Sequence, residues 1–193
     1  IAELLLQRLH GSARQEMKMR HGDVAGGRSC VIAMGKMGGR EMTASSDLDL
    51  MLIYDSEPGT ENSVGAKPLS VNQYFTRLTQ RLINSITAPT GEGVLFEVDM
   101  RLRPSGGQGP VATSIESFRD YQKNSAWTWE KLALTRARVV SGDAELAQAI
   151  SEAIAASLCA ERDAVTTCQD VLDMRRLMVK EQGSAGLWDI KRA

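Results

Sequence analysis

The sequence predicts an α+β fold: a mixed sheet flanked by helices, followed by a helical extension. Three observations predict it. Residues 47–54 and 94–103 read as strands with alternating or apolar patterns. Val71 to Ile86 places Tyr74, Phe75, Leu78, Leu82 and Ile86 about one helical turn apart. Beyond Gly142 the pattern becomes helical throughout, so the expected organisation is a mixed α/β domain over 1–142 and the start of a helical domain over 143–193.

The elements follow in order. Leu4, Leu5, Leu6 and Leu9 at helical spacing predict a helix from Ile1 to about Met19, and the Gly-rich segment 21–28 a loop. Ser29 to Met34 is a short apolar run ending in glycine, a buried strand. Asp47 to Tyr54 is the second strand, and the polar segment 56–67, with Pro58, Gly59 and Gly65, is expected to be a mobile loop. After the 71–86 helix, Thr90 to Gly93 is a turn. Val94 to Arg103 then sets Val94, Phe96, Val98, Met100 and Leu102 on one face and Glu97, Asp99, Arg101 and Arg103 on the other. Helices are expected over 114–121, with Ser114 as cap, and over 127–140, with Trp127 and Trp129 in the core. Two more are expected over 143–158 and 160–182, the latter broken by Gly183 to Gly186.

Composition excludes several classes. The net charge of −1 over 193 residues gives no sign of a polyanion partner. Cys30, Cys159 and Cys168 are too few and scattered for a disulfide framework or a zinc site, and are expected reduced and buried. No apolar run reaches the roughly 18–20 residues of a membrane helix, and no signal peptide is visible, so a cytoplasmic location is expected. His10 and His21 lie in a polar segment without a partner motif and are not read as catalytic. The start at Ile1 and the end at Ala193 are expected of an excised piece of a larger protein.

The chemistry concentrates in two blocks. Met34-Gly35-Lys36-Met37-Gly38-Gly39 is a glycine turn, followed by Ser45-Ser46-Asp47-Leu48-Asp49-Leu50. Strand parity sends Asp47 and Asp49 to one face and Leu48, Leu50 and Leu52 to the other. Two carboxylates held together repel unless a cation sits between them, and hard carboxylate ligands beside a glycine turn point to Mg²⁺ and a phosphate-bearing substrate. The turn has neither P-loop nor G-x-G-x-x-G spacing. Asp99, on a separate charged strand face, is the candidate third carboxylate, with Arg101 and Arg103 beside it to neutralise phosphate. Arg136 and Arg138 are further cations, and the spacing does not choose which faces the site.

These blocks resemble the glutamine synthetase adenylyltransferases, members of the nucleotidyltransferase superfamily with a DNA polymerase β-like fold. The resemblance rests on Gly35 to Glu41, Ser45 to Leu50, Glu97 to Pro104, and Asp120 to Asn124 through Trp127 to Glu130. Residues 121–130 look like the C-terminal, transferase head of that two-headed family rather than the removing head. Met37 stands where leucine is more usual, a volume-conserving change. Asp189-Ile190-Lys191 looks like the start of a further helical segment.

The resemblance implies Mg²⁺-dependent transfer of AMP from ATP to a tyrosine of glutamine synthetase. Asp47, Asp49 and Asp99 would be catalytic and metal-binding, with two Mg²⁺ ions expected and Mn²⁺ as substitute. Gly35, Lys36, Gly38, Ser46, Arg101 and Arg103 would meet the nucleotide phosphates, and Asp99 would take the tyrosine proton. Glutamine synthetase would be the protein substrate and a PII signal protein the regulator, without nucleic acid or membrane. The alternatives are phosphorolytic removal of AMP by the same triad, or a non-catalytic regulatory module.

Overall fold

The computed structural model describes residues 1–43, 46–91 and 93–182. Ser45, Glu92, the break at 183–186 and the segment 189–191 lie outside the described residues. The helices are α1 (Ala2–His21), α2 (Gly35–Gly38), α3 (Val71–Ile86), α4 (Ile115–Asn124), α5 (Thr128–Ala133), α6 (Ala144–Cys159) and α7 (Ala164–Gln182). The strands are β1 (Arg28–Ala33), β2 (Leu48–Asp55), β3 (Pro89–Thr90), β4 (Gly93–Val94), β5 (Val98–Asp99), β6 (Ala112–Ser114) and β7 (Arg138–Gly142).

The main sheet is mixed and runs β5-β2-β1-β7. β1 is antiparallel to both β2 and β7. Two short strands lie parallel to β2: β5 beside Leu48 and Asp49, and β6 beside Leu52 to Tyr54. Helices cover both faces, which is why β1 and β2 read as nearly continuous apolar runs. On one face Val31, Ala33, Leu48, Leu50 and Leu52 meet Leu6, Ala13 and Met17 of α1 and Phe75, Leu78 and Leu82 of α3. On the other, Cys30, Ile32, Met51 and Ile53 meet Ile115 and Phe118 of α4 and Leu146, Ile150 and Ile154 of α6. Each such aliphatic side chain contributes about 1.5–3 kcal/mol relative to exposure. The helical half thus begins on the sheet itself: α6 packs directly against β1 and β7.

Three caps match residue chemistry. Ser70 accepts from the Gln73 amide at 3.4 Å, Ser114 from Ser117 at 3.1 Å, and Asp143 from Glu145 and Leu146 at 3.0 and 3.2 Å. No helix among the described residues is long and apolar enough to cross a membrane.

Five local expectations need correction. The strand expected over 94–103 is broken: Val94 pairs with Pro89 in a short hairpin, Val98–Asp99 joins the main sheet, and the chain turns after Asp99, whose carboxylate accepts the Arg101 backbone amide at 2.7 Å. The helix expected over 127–140 stops at Ala133, and Arg138–Gly142 instead joins the sheet edge beside β1. There the β-branched pair Val139-Val140 finds a strand partner, so pairing overrides local periodicity. Trp127 and Trp129 are exposed, at 70% and 41%, rather than in the core; they line a hollow of about 500 Å³ against α7. The 56–67 segment is tethered to the end of α1. Ser63 Oγ donates to the His21 carbonyl at 2.7 Å, and the Val64 amide to the Asp23 carbonyl at 2.7 Å. Cys30 is buried, and burial pushes its thiol up to about 11, but Cys159 and Cys168 are exposed.

Candidate active site

The site forms where β1 ends beside the start of β2. The Met34 amide donates to the Asp49 carbonyl at 2.8 Å, closing the last rung between the two strands. The chain then turns through Gly35 at φ 50°, a conformation that disfavours any residue with a Cβ. A Cβ there would stand 2.2 Å from Asp49 Oδ2, so glycine is what lets the Asp49 carboxylate lie over the turn. Gly38 serves a different purpose. A Cβ on it would meet the Arg136 carbonyl oxygen at 1.7 Å, so it permits backbone-to-backbone contact behind the turn.

Asp49 lies on the sheet face of Met51 and Ile53, opposite Leu48, Leu50 and Leu52, as strand parity requires. In the parallel β2–β5 pair, Asp49 is the register partner of Asp99. Parallel partners project to the same side, so two carboxylates from separate strands stand next to each other. Asp47 precedes β2 and is exposed.

The electrostatics differ sharply between the neighbours. The Asp49 carboxyl is raised above the usual range, first by burial and then by the charges of Asp99 and Asp47, with Arg101 and Lys36 opposing. The Asp99 carboxyl is lowered, first by side-chain hydrogen bonds from Arg101. Arg101 Nε donates to Oδ1 at 3.1 Å and Oδ2 at 2.8 Å, and Nη2 donates to Oδ2 at 2.5 Å. The charges of Asp49 and Asp47 also act on Arg101. One guanidinium therefore stands in the field of all three carboxylates, as a stand-in cation. With Asp99 turned onto it, no three acidic or metal-ligating side chains among the described residues converge tightly enough to hold a metal as they stand. The donor set is all carboxylate oxygen in a cation-seeking cluster, and so suits a hard divalent ion.

The remaining candidates surround this cluster to different degrees. Lys36 acts on Asp49, and its Nζ approaches Ser46 Oγ at 3.5 Å. Ser46 is buried and bonded locally: its hydroxyl accepts from the Thr43 amide at 3.0 Å and pairs with the Thr43 hydroxyl at 2.8 Å. The Gly38 amide is engaged within the turn, donating to the Met34 carbonyl at 2.8 Å. Arg103 braces the following loop through the carbonyls of Met100, Gly107 and Gly109.

Sequence reasoning left open the roles of Arg136 and Arg138. Arg138 donates to the carbonyls of Met37 and Gly38, both at 3.2 Å, and pairs with Glu3. It holds the glycine turn from behind. Arg136 pairs with Glu41 at 2.7 Å on the flank. Glu130 was missed altogether as a keystone. It is buried, accepts the Tyr121 hydroxyl on both oxygens at 2.8 and 2.9 Å, and accepts the Trp127 amide at 2.9 Å. The signal was present, since a glutamate at the third position of a helix commonly reaches back to cap it.

This site sits in a recognisable chain. The family model for glutamate-ammonia ligase adenylyltransferase matches residues 1–153. The chain belongs to this family. Two curated relatives in the glutamate-ammonia ligase adenylyltransferase family carry the name bifunctional glutamine synthetase adenylyltransferase/adenylyl-removing enzyme. That of Agrobacterium fabrum is 50% identical over 191 residues, covering 99% of this chain and 19% of the relative. That of Bradyrhizobium diazoefficiens is 50% identical over 193 residues, covering 100% and 19%. The chain therefore spans about a fifth of the length of these relatives.

Proposed function

We propose that this chain is the nucleotidyltransferase unit that moves AMP from ATP to a tyrosine hydroxyl of glutamine synthetase, releasing pyrophosphate. The observation that carries the reading is the Asp49–Asp99 register pair beside Gly35, whose missing Cβ leaves room for the Asp49 carboxylate. The family match supports it, and the relatives' names supply both adenylyl transfer and the target.

Asp47, Asp49 and Asp99 would hold two Mg²⁺ or Mn²⁺ ions, which supply charge neutralisation for the triphosphate and in-line placement of attacking and leaving oxygens. The tyrosine oxygen bonds to the α-phosphorus as the α–β bridging bond breaks, and the phenolic proton passes to Asp99. Arg101 on Asp99 makes it a weak base, so proton transfer requires that fork to open. Lys36 and Arg101 would meet phosphate oxygens, with Gly35 allowing close approach and Gly38, Ser46 and Arg103 shaping the wall. Residues 1–142 would form the catalytic unit, with α6 packed on its sheet, in a cytoplasmic enzyme under PII-protein control, without nucleic acid or membrane.

The test is incubation with ATP labelled in the α-phosphate, Mg²⁺ and glutamine synthetase. Label on the target that is abolished by chelator supports the reading; no label with folded protein defeats it. The bifunctional names favour one second reading, phosphorolytic removal of AMP. Inorganic phosphate with adenylylated target, yielding ADP, would reveal it.

A further inference from the structure

We propose that Arg101 is an internal counter-ion that latches Asp99 away from the metal site, so that a divalent cation must displace it to bind. The inference rests on the carboxylate-site reading above and adds a device to it.

Three observations converge. Asp99 and Asp49 occupy paired positions on adjacent parallel strands, so a cation bridging them needs an oxygen from each. Both Asp99 oxygens are already committed. Oδ1 accepts the Arg101 backbone amide at 2.7 Å and Nε at 3.1 Å, while Oδ2 accepts Nε at 2.8 Å and Nη2 at 2.5 Å. A planar guanidinium satisfies a carboxylate bidentately and competes directly for the lone pairs that a hard cation would use.

The third observation is that the latch is built to open. The Asp99 side chain is only 19% exposed, but that of Arg101 is 82% exposed. Among the described residues the Arg101 guanidinium bonds to Asp99 alone, so no second anchor holds it. The neighbouring Arg103, by contrast, is tied to three backbone carbonyls and cannot swing as readily. An exposed ion pair of this kind is weak enough to be displaced by a divalent ion. On release, Arg101 becomes a free cation next to the carboxylates, placed to donate to a phosphate oxygen. The latch relieves repulsion among Asp47, Asp49 and Asp99 while the site is empty, and yields its charge when a polyphosphate arrives.

The experiment titrates Mn²⁺ into the 193-residue chain without nucleotide and follows free Mn²⁺ by electron paramagnetic resonance. The wild type is compared with Arg101→Gln and Asp49→Asn. Arg101→Gln is expected to bind Mn²⁺ tighter by about threefold or more, because the competing fork is gone. Asp49→Asn is expected to lose the site. If Arg101→Gln binds no tighter while Asp49→Asn loses binding, the latch is refuted and the metal site stands. If Asp49→Asn binds as the wild type does, the cation is elsewhere and both ideas fail. A melting curve in chelator checks folding. Should Arg101→Gln not fold, Arg101→Lys, which keeps the charge but lacks the planar fork, carries the same expectation of tighter binding and the same refutation.

Discussion

His10 should make this protein acid-labile over a defined window. It lies on the buried stripe of α1, only 1% exposed, between two strands. One ring nitrogen meets Ser141 Oγ at 2.9 Å, the other Ser29 Oγ at 3.0 Å, so the imidazole ties α1 to β7 and β1. Burial, and secondarily the charge of Arg14, pull its pKa down to about 4 from an ordinary 6.5. Serine hydroxyls can rotate to accept from either nitrogen, so the cost of protonation is desolvation and repulsion from Arg14 rather than a lost hydrogen bond.

The sign follows from proton binding. The folded pKa lies below the unfolded one, so between those values the unfolded chain holds a proton that the folded chain does not. Stability is full above about pH 6.5 and falls by about 1.4 kcal/mol per pH unit towards pH 4, about 3 kcal/mol in all. At pH 5 the loss is about 2 kcal/mol, or roughly 4–8 °C in melting temperature for a chain of this size. The assay is thermal unfolding from pH 7.5 to 4.5 for the wild type and His10→Gln, whose amide keeps a donor and an acceptor without titrating. Asp99, Asp163 and Asp173 have lowered carboxyls and lose their contribution only in stronger acid, while the raised Asp49 acts in the opposite direction. The difference between the two proteins isolates His10. Parallel curves for both would refute the argument.

Asp49→Asn should lower label transfer by about 10²–10³ or more, with the melting temperature unchanged or raised because one repelling charge is removed; wild-type transfer by a folded variant would show that the Asp49 charge is not needed. Gly35→Ala should abolish transfer too, since its Cβ would meet Asp49 Oδ2 at 2.2 Å, and should cost about 1 kcal/mol for the positive φ in urea unfolding; wild-type activity would show the carboxylate is not needed there. Glu130→Ala should destabilise by about 1–3 kcal/mol, seen as a lower urea midpoint, because the Tyr121 hydroxyl and Trp127 amide lose their acceptor. Tyr121→Phe should cost less, and a smaller effect of Glu130→Ala would argue against the keystone role.

What the sequence disclosed was local, and what it hid depended on distant partners. Parity within β2 sufficed to place Asp49 opposite Leu48 and Leu50, because a strand buried on both faces leaves no freedom of register. The 71–86 helix was legible to the residue, since Ser70 caps it and its apolar stripe is continuous. The same parity argument overran at 94–103. There one side chain, Asp99, bonds to a backbone amide two residues on, and a pattern of alternating polarity carries no trace of that competition. Arg138 could not be assigned because its partners, the carbonyls of Met37 and Gly38, lie about a hundred positions away. The Trp127-to-Glu130 block shows the reverse error. Hydrophobicity favoured the tryptophans as core, but the buried member is the glutamate, which satisfies a backbone amide and a phenol. Both failures share a cause: in this chain carboxylates answer their own neighbourhood first. Asp99 answers Arg101 and Glu130 answers Tyr121, and only the first of these bonds is exposed enough to be exchanged for a ligand.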